Sequence, residues 1–437
     1  MNERKTVAFY TLGCKLNFAE TSALARVFTD NGFERIDCSL PADVYVINTC
    51  SVTEQSDRKC RQTIRKFIRQ SPHAIIAVTG CYAQLKPEEI ASIEGVDMVI
   101  GADAKGKLFE YVNNISGKGE TRMFSCEING VDSFFQAFSY GDRTRSFLKV
   151  QDGCSYSCSY CTIPMARGKS RNPSIDSIVE NAEKISSEGV REIILTGVNI
   201  GDFGRSGNEK FIDLLKALNG VDGIERYRIS SIEPNLLTDE IVEFTSSSAK
   251  FMPHYHIPLQ SGSDKILKLM RRRYLGELFV KKIELLRTKN PHTFFGIDVI
   301  AGFPGETDED FADTCDLLEK TEPAYLHVFP YSERSDVASA AMSNKVSSQT
   351  INIRAKHLAS MCGRFHRQFY LENIGRDEEV LFETPVKNGL MYGFTKNYIR
   401  VETPADRNLA GKIVPVKLTG ISESGKMLVE YRHTVAR

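Results

Sequence analysis

Short apolar runs, separated by stretches of helical period, set out the organisation of the chain. Thr6–Leu12, Val44–Asn48, Ile75–Thr79 and Met98–Ile100 are continuous rather than alternating, as expected of strands buried on both faces of a parallel sheet. Between the first two, Asn17 followed three residues later by Glu20 has the form of a capping box, and Gly32 closes the predicted helix. Residues 1–112 therefore read as a βαβ parallel-sheet domain. Residues 113–145 are rich in Gly, Ser and charge with little periodicity, and read as a connector with room for a hairpin.

A second alternation runs through residues 146–372. Strands are predicted at Phe147–Val150, Glu192–Leu195, Arg226–Ser230, Tyr255–Leu259, Phe294–Ile300 and Leu326–Phe329, with helices at Ile175–Ser187, Asp264–Met270 and Glu309–Lys320 among the gaps. Six βα repeats are too few for a closed eight-stranded barrel, so an open partial (βα)6 barrel is expected. A basic helical stretch, Ile351–Tyr370, then leads to residues 373–437. There Glu379–Phe382, Met391–Phe394, Ile399–Val401, Ile413–Leu418 and Met427–Tyr431 are short strands between Gly, Asn and Pro turns, the pattern of a small antiparallel barrel of the oligonucleotide-binding kind. The class is α/β throughout the first two units.

Composition adds limits. A length of 437 residues suggests about three domains, and 41% apolar with 26% charged residues is ordinary for a soluble globular chain. No apolar run reaches the roughly 18–20 residues of a membrane span, and Met1–Tyr10 lacks the apolar core of a secretion signal, so a cytoplasmic location is expected. The 56 basic residues balance 56 acidic ones, so local patches must decide whether nucleic acid is a partner. Arg58, Lys59, Arg61, Arg65, Lys66 and Arg69 crowd one helix, Arg271–Arg273 follow another, and Arg354, Lys356, Arg364 and Arg367 line a third. With Phe365, Phe394 and Tyr398 nearby, these favour RNA contact over a merely solvated face.

Eleven cysteines, an odd number, point to metal or redox chemistry rather than a disulfide framework. Cys154, Cys158 and Cys161 form a C-x3-C-x2-C run just beyond the first barrel strand. Three thiolates without a fourth leave one iron of a cluster open, whereas a zinc ribbon would need paired C-x2-C knuckles or a nearby His. Cys14, Cys50 and Cys81 each follow a strand of the first sheet, at the carboxyl edge where such sheets bind ligands; the alternative is three unrelated buried thiols. Cys38, Cys60, Cys126, Cys315 and Cys362 have no comparable setting and read as packing in preference to reactive thiols, even Cys60 with its basic neighbours.

The C-x3-C-x2-C loop, with Tyr160 before its last cysteine, resembles the radical S-adenosylmethionine superfamily. Two cysteine trios on successive βα units, with LGCKLN, NTCSVT, TGCY, QDGCSYSCSYCTIP, LTGVNIG, SSIEP, PLQSGSD and GFPGE, resemble its methylthiotransferase family over essentially the whole chain. The terminal barrel is similar to the family's RNA-binding TRAM domain. The resemblance implies two [4Fe–4S] clusters. One at Cys154, Cys158 and Cys161 would bind S-adenosylmethionine at its open iron. An auxiliary one at Cys14, Cys50 and Cys81 would carry the sulfur to be transferred. It further implies two S-adenosylmethionine per turnover, cleavage to a 5′-deoxyadenosyl radical, and an electron donor and sulfur source of unknown identity. Tyr160, Gly197, Asn199, Ser231, Glu233 and Gln260 are the expected S-adenosylmethionine contacts, and Gly302–Glu306 would flank its adenine.

Family members act on isopentenylated or threonylcarbamoylated adenosine in transfer RNA, or on a ribosomal-protein aspartate. Asn48–Lys59, Leu195–Gly201 and Leu326–Ser332 resemble the threonylcarbamoyl type. That group carries a carboxylate, for which Arg167 and Arg171 are candidates, unless they form a rim ion pair. His254 and His256 share one face of a strand and read as barrel-interior residues in preference to a metal pair. The other classes to weigh are a non-catalytic RNA-binding iron–sulfur protein and a zinc-dependent RNA-modifying enzyme. The chemistry is expected in the first two units, with the terminal barrel capturing transfer RNA.

Overall fold

The computed structural model describes residues 4–431 except 116, 126, 142 and 206, so Cys126 lies outside the described residues. The continuous apolar runs pair in parallel. Strands β1 (Thr6–Thr11), β2 (Glu34–Ile36), β3 (Val44–Thr49), β4 (Ile75–Gly80), β5 (Met98–Ile100) and β6 (Arg122–Phe124) form one sheet in the order β2-β1-β3-β4-β5-β6. Every residue of β3 is buried, which is why its sequence does not alternate. Tyr45, Ile47, Phe67 and Val78 fill one face, and Val44, Val46, Phe28 and Met98 the other. β6 falls in the expected connector and pairs in parallel with β5. That stretch thus supplies an edge strand, and its end returns as a short hairpin, Phe138 pairing antiparallel with Leu148 through Ser139 N–H to the Phe147 carbonyl (3.0 Å) and Lys149 N–H to that of Ala137 (2.9 Å).

The helix after β1 begins at Lys15, with Cys14 at its N-cap and no capping side chain. The expected capping box is therefore not formed. Asn17 and Glu20 lie inside the helix, each 1% exposed, and Asn17 donates to the carbonyls of Leu12 (2.8 Å) and Thr49 (3.0 Å). Tertiary partners have taken the side chains that the local pattern assigned to the helix end.

Strands β7 (Ser146–Lys149), β8 (Glu192–Thr196), β9 (Arg226–Ile229), β10 (His254–Gln260), β11 (Phe294–Ala301) and β12 (Tyr325–Pro330) form two parallel three-stranded arcs. A bridge from Ser231 to His256, with the Ile232 amide on the His256 carbonyl at 3.0 Å, joins the arcs into an open partial barrel. Leu148, Ile193, Leu195, Tyr227, Ile229, Ile257 and Ile297 point outward into the helical layer, leaving a polar inner face.

Strands β13 (Asp377–Lys387), β14 (Leu390–Thr395), β15 (Arg400–Pro404), β16 (Ile413–Ile421) and β17 (Met427–Glu430) close a barrel in the order β13-β14-β15-β17-β16. All its pairings are antiparallel except β15–β17. Five strands in a ring cannot alternate direction all the way round, so one parallel pair is unavoidable. This barrel plugs the N-terminal end of the partial barrel. Arg226 reaches the carbonyls of Phe394 (3.1 Å) and Glu379 (2.9 Å). Arg228 reaches those of Lys396 and Thr395 (2.7 Å each) while pairing with Glu192 (2.8 Å).

Candidate active site

The first cysteine trio sits at the carboxyl rim of the partial barrel. Gly153 makes the turn before it with φ +69°, and a Cβ there would lie 2.0 Å from the Lys169 carbonyl. The Cys154 amide then bonds Gly168 (3.0 Å), while Ser159 pins the loop to the carbonyls of Met270 (3.1 Å) and Leu269 (2.8 Å). Cys154, Cys158 and Cys161 line a cavity of about 290 Å³. Burial pushes the thiols up, Cys154 to about 11 and Cys161 to about 12, so metal binding there releases protons.

Tyr160, Asn199, Ser231, Glu233 and Gln260 line the same cavity. Gly197 does not: a Cβ on it would meet Ile200 at 2.8 Å and Gln151 at 2.9 Å, so its role is close packing. The Gln151 side-chain oxygen accepts from the amides of Val198 and Asn199 (2.9 Å each) and fixes that turn. Both amide atoms of Asn199 are buried without a partner. A buried amide left unpaired costs free energy, so this side chain fits a bound molecule offering both a donor and an acceptor, as the amino and carboxylate groups of S-adenosylmethionine do. The residues present suit that cofactor. Gly302–Glu306 acts from behind: Phe303 meets Tyr160 edge-on at 6.2 Å, and Glu306 takes the Gly302 amide and the Arg354 guanidinium.

Two lining residues escaped sequence reasoning. Arg272 donates to Cys158 Sγ at 3.2 Å and pairs with Glu233. Arg273 lies over Tyr156, 4.1 Å from the ring centroid. Of Arg271–Arg273, Arg272 is thus taken up by the cavity, while Arg271 and Arg273 stay exposed. Asp298, the acid within an otherwise apolar β11, faces the cavity and its Oδ1 accepts from His256 Nε2 at 2.6 Å. The alternation of a lone acid against apolar neighbours was the signal for it.

The second trio comes from the ends of β1, β3 and β4. Cys14 is exposed, and Cys50 and Cys81 are buried. A Cβ on Gly13 would lie 3.2 Å from Cys50 Sγ, and one on Gly80 would strike the Thr49 carbonyl at 2.3 Å. Glycine at both turns therefore lets the three cysteines approach. Burial, then the neighbouring Cys81 and Cys14 thiols, push the Cys50 thiol to about 12. The loop after Cys50 is held by Arg334, which binds Asp57 and Ser51 at 2.7 and 2.9 Å, and its Val52 and Thr53 form part of the wall of the first trio's cavity.

A buried charge network joins the two trios. Glu20 meets Lys105 (2.5 Å), Lys149 (2.8 Å) and Arg167 (3.1 Å). Asp152 meets Lys149 (2.6 Å), Arg167 (2.9 Å) and Arg171 (3.4 Å). Burial alone would raise the Glu20 carboxyl, but Arg167, Lys105 and Lys149 outweigh it and hold the group well below the usual range. Arg167 also donates to Asn17 (2.5 Å), and Arg171 to the carbonyls of Ser133 (2.8 Å) and Arg167 (2.5 Å). The structure thus places both arginines in ion pairs.

Other candidates settle as packing. His254 lies tilted against the rings of Tyr398 (4.2 Å) and Phe294 (5.3 Å), while His256 binds Asp298, so both are interior residues of the barrel. Cys60 is buried, donates to the Cys50 carbonyl (3.4 Å) and is pushed up to about 11 by burial, the opposite of a reactive thiol. Cys315 and Cys362 pack against the barrel core, and Cys38 against that of the first sheet. Phe365 is buried, and Phe394 and Tyr398 stack on each other at 4.7 Å within the plug, so the three form no open surface patch with the basic residues. Arg354 and Arg364 are paired with acids.

Residues 6–101 match a family described as Uncharacterized protein family UPF0004, and residues 148–318 match the Radical SAM superfamily. The threonylcarbamoyladenosine tRNA methylthiotransferase of Bacillus subtilis is 40% identical, over 94% of this chain and 93% of that protein. Its counterpart from Aquifex aeolicus is 35% identical, over 94% and 99%. The tRNA-2-methylthio-N(6)-dimethylallyladenosine synthase of Akkermansia muciniphila is 30% identical, over 93% and 95%. Among solved structures, the radical S-adenosylmethionine methyltransferase TsrM of Kitasatospora setae shares the fold, with a TM-score of 0.56 at 15% identity, covering 77% of this chain and 75% of that one. Two strand-end cysteine trios, a cavity with cofactor-ready polar groups and this likeness along nearly the full length agree: the chain belongs to the radical S-adenosylmethionine methylthiotransferase family.

Proposed function

We propose that this enzyme attaches a methylthio group to C2 of N6-threonylcarbamoyladenosine next to the anticodon of transfer RNA, in the cytoplasm. One observation carries the reading. The loop that begins at Cys50 of the second trio continues directly into Val52 and Thr53, which wall the cavity of the first. A radical generated in that cavity and a sulfur held at the second trio would thus act on one substrate atom. Relatives acting on threonylcarbamoyladenosine reach 40% identity, against 30% for those acting on dimethylallyladenosine, which favours the former substrate.

Cys154, Cys158 and Cys161 would hold one [4Fe–4S] cluster, and Cys14, Cys50 and Cys81 the other. When bound, the clusters and S-adenosylmethionine supply one-electron radical chemistry and the sulfur and methyl to be transferred. The chain's own residues position and shield. Asn199, Ser231, Glu233 and Gln260 orient the cofactor, and Arg272 places positive charge beside Cys158. Val52 and Thr53 restrict water. An electron is needed to start cleavage of S-adenosylmethionine and a sulfur atom is used in each turnover, so an electron donor and a sulfur source are partners.

Transfer RNA would meet two surfaces. Helix Glu54–Gln70 exposes Arg58, Lys59, Arg65, Lys66 and Arg69. On the terminal barrel Tyr392 lies between Arg400 (4.9 Å) and Lys426 (5.4 Å). Residues 1–112 and 146–372 would carry the chemistry, joined by 113–145, with 373–437 capturing RNA.

The test is a pair of triple variants. Changing Cys154, Cys158 and Cys161 to Ala should remove about half of roughly eight irons and all 5′-deoxyadenosine formation. Changing Cys14, Cys50 and Cys81 should leave 5′-deoxyadenosine formation but abolish the methylthio nucleoside in digested transfer RNA, read by mass spectrometry. A normal yield of that nucleoside from the second variant overturns the assignment.

A further inference from the structure

A second cavity, of about 320 Å³, opens beside Cys14 and is lined by Lys15, Arg143, Arg145, Phe18, Phe147 and Tyr398 among others. All three of its charged lining residues are cations. Lys15 is half-buried and makes no ion pair among the described residues. Arg143 lies over the rings of Phe18 (4.6 Å) and Phe147 (5.9 Å) and meets no carboxylate among the described residues. The Nη1 of Arg145 is buried without a hydrogen bond, although Glu192 lies at 3.7 Å and Glu383 at 3.2 Å from its two ends. The field is felt at Tyr398. Burial alone would raise its phenol, but Arg145, Lys15 and Arg228 hold it below the ordinary value. By contrast Arg167 and Arg171, the arginines that sequence spacing suggests, already have acidic partners.

We propose that this cavity seats the carboxylate of the threonylcarbamoyl group, with Lys15 and Arg143 as its cations and Arg145 behind them; this rests on the substrate reading above. Cys14 lines the same cavity, so a substituent held there keeps its base beside the second trio. In adenine, only N1 and C6 separate C2 from N6, so the two positions lie within one ring of each other. The walls of Phe18, Phe147 and Tyr398 lower the polarity on one side of the pair and strengthen it there, while Arg143 stays exposed on the other. An isopentenyl group placed there would cover the cations without pairing them, which selects against it as well as for the acid.

The experiment measures equilibrium binding of anticodon stem-loops to the anaerobic holoenzyme. Four probes carry at the modified position adenosine, isopentenyladenosine, threonylcarbamoyladenosine, or the last with its carboxylate converted to a methyl amide. The wild type should prefer the acid over the amide by about ten-fold. Lys15→Met and Arg143→Gln should each remove most of that preference, while affinity for the unmodified loop stays the same. Because Lys15 adjoins Cys14, iron content is measured alongside; Arg143→Gln, remote from any cysteine in sequence, stands as the second variant. A preference retained in both variants overturns the inference, as does a wild type that binds acid and amide equally. The wild type's methylthiolation of threonylcarbamoylated transfer RNA, scored separately, reports on the parent reading alone.

Discussion

Replacing Glu20 by Gln removes a carboxylate that meets three buried cations from both sides of the junction between the first sheet and the partial barrel. Side-chain exposure is 2% for Glu20, 5% for Lys105, 1% for Lys149 and 5% for Arg167. In the wild type Glu20 and Asp152 share these cations; in the variant Asp152 remains alone, and it does not touch Lys105. If only hydrogen bonds mattered, the loss would be about 1 kcal/mol, since the amide oxygen still accepts. Stranding a buried charge is the larger effect, about 3–5 kcal/mol. At about 2–4 °C per kcal/mol for a unit of this size, the metal-free variant should melt roughly 6–20 °C lower by circular dichroism. Adding Lys105→Met should recover part of the loss, because it removes the stranded cation. The pH dependence has a definite sign. Glu20 titrates lower folded than unfolded, so its contribution is fully present above the unfolded value of about 4.3 and is lost as pH falls through the folded value. The gap between wild type and variant should therefore be constant from neutral pH to about pH 5 and close only in stronger acid. A variant within about 1 kcal/mol of wild type at pH 7 would refute the reasoning.

Asn199→Leu should lower S-adenosylmethionine affinity at least about ten-fold by equilibrium dialysis yet leave the metal-free protein as stable or more so, since its amide has no partner there; unchanged affinity would show that the amide does not touch the cofactor. Arg272→Gln, which takes a charge away from Cys158, should shift the reduction potential of the first cluster downward in electrochemical titration, and an unmoved potential would count against that contact. Deleting the chain from Asn373 onward strips Arg226 and Arg228 of their carbonyl acceptors, so the product should be insoluble or lose iron; a soluble, fully loaded truncation would contradict the plug. The role of the terminal barrel in RNA binding is better read from Arg400→Gln with Lys426→Gln, which should weaken transfer RNA binding and flatten its salt dependence.

The strands that carry the site were legible because burial on both faces, or on one, writes a pattern over several residues. Helix Ile175–Ser187 was legible to the residue for the same reason: its apolar period is bounded by Ser174, whose side chain caps the Ser177 amide. The edge strands β2 and β6 were not. Each is three residues long and largely exposed, too short to show a burial pattern, so it is held by backbone pairing to a neighbour that sequence does not identify. Asn17 and Glu20 show how a correct local rule is overridden. Their spacing fits a helix start, but it equally puts both on one helical face, and here that face meets Arg167 from a segment 147 residues away.

The same argument explains why basic residues were the least reliable guide to function. A run of Lys and Arg carries no record of which acids will meet it. Arg272, Arg354 and Arg364 read as candidates for RNA contact and turn out to face Glu233, Glu306 and Glu319. Arg167 and Arg171 read as holders of a substrate carboxylate and turn out to face Asp152. Lys15 and Arg143 attract no attention in sequence, one beside a cysteine and the other in an irregular connector, and these are the cations left without an acid at the second trio. An enzyme that must recognise an anion cannot neutralise the cation meant for it. In a chain whose 56 basic and 56 acidic residues balance, and whose buried cations are met by acids, the half-buried Lys15 and the exposed Arg143 stand without a carboxylate around one aromatic-walled cavity, where they can take an anionic ligand. That makes partner bookkeeping in the folded state, rather than charge density along the chain, the measure by which substrate contacts are distinguished from structural ones.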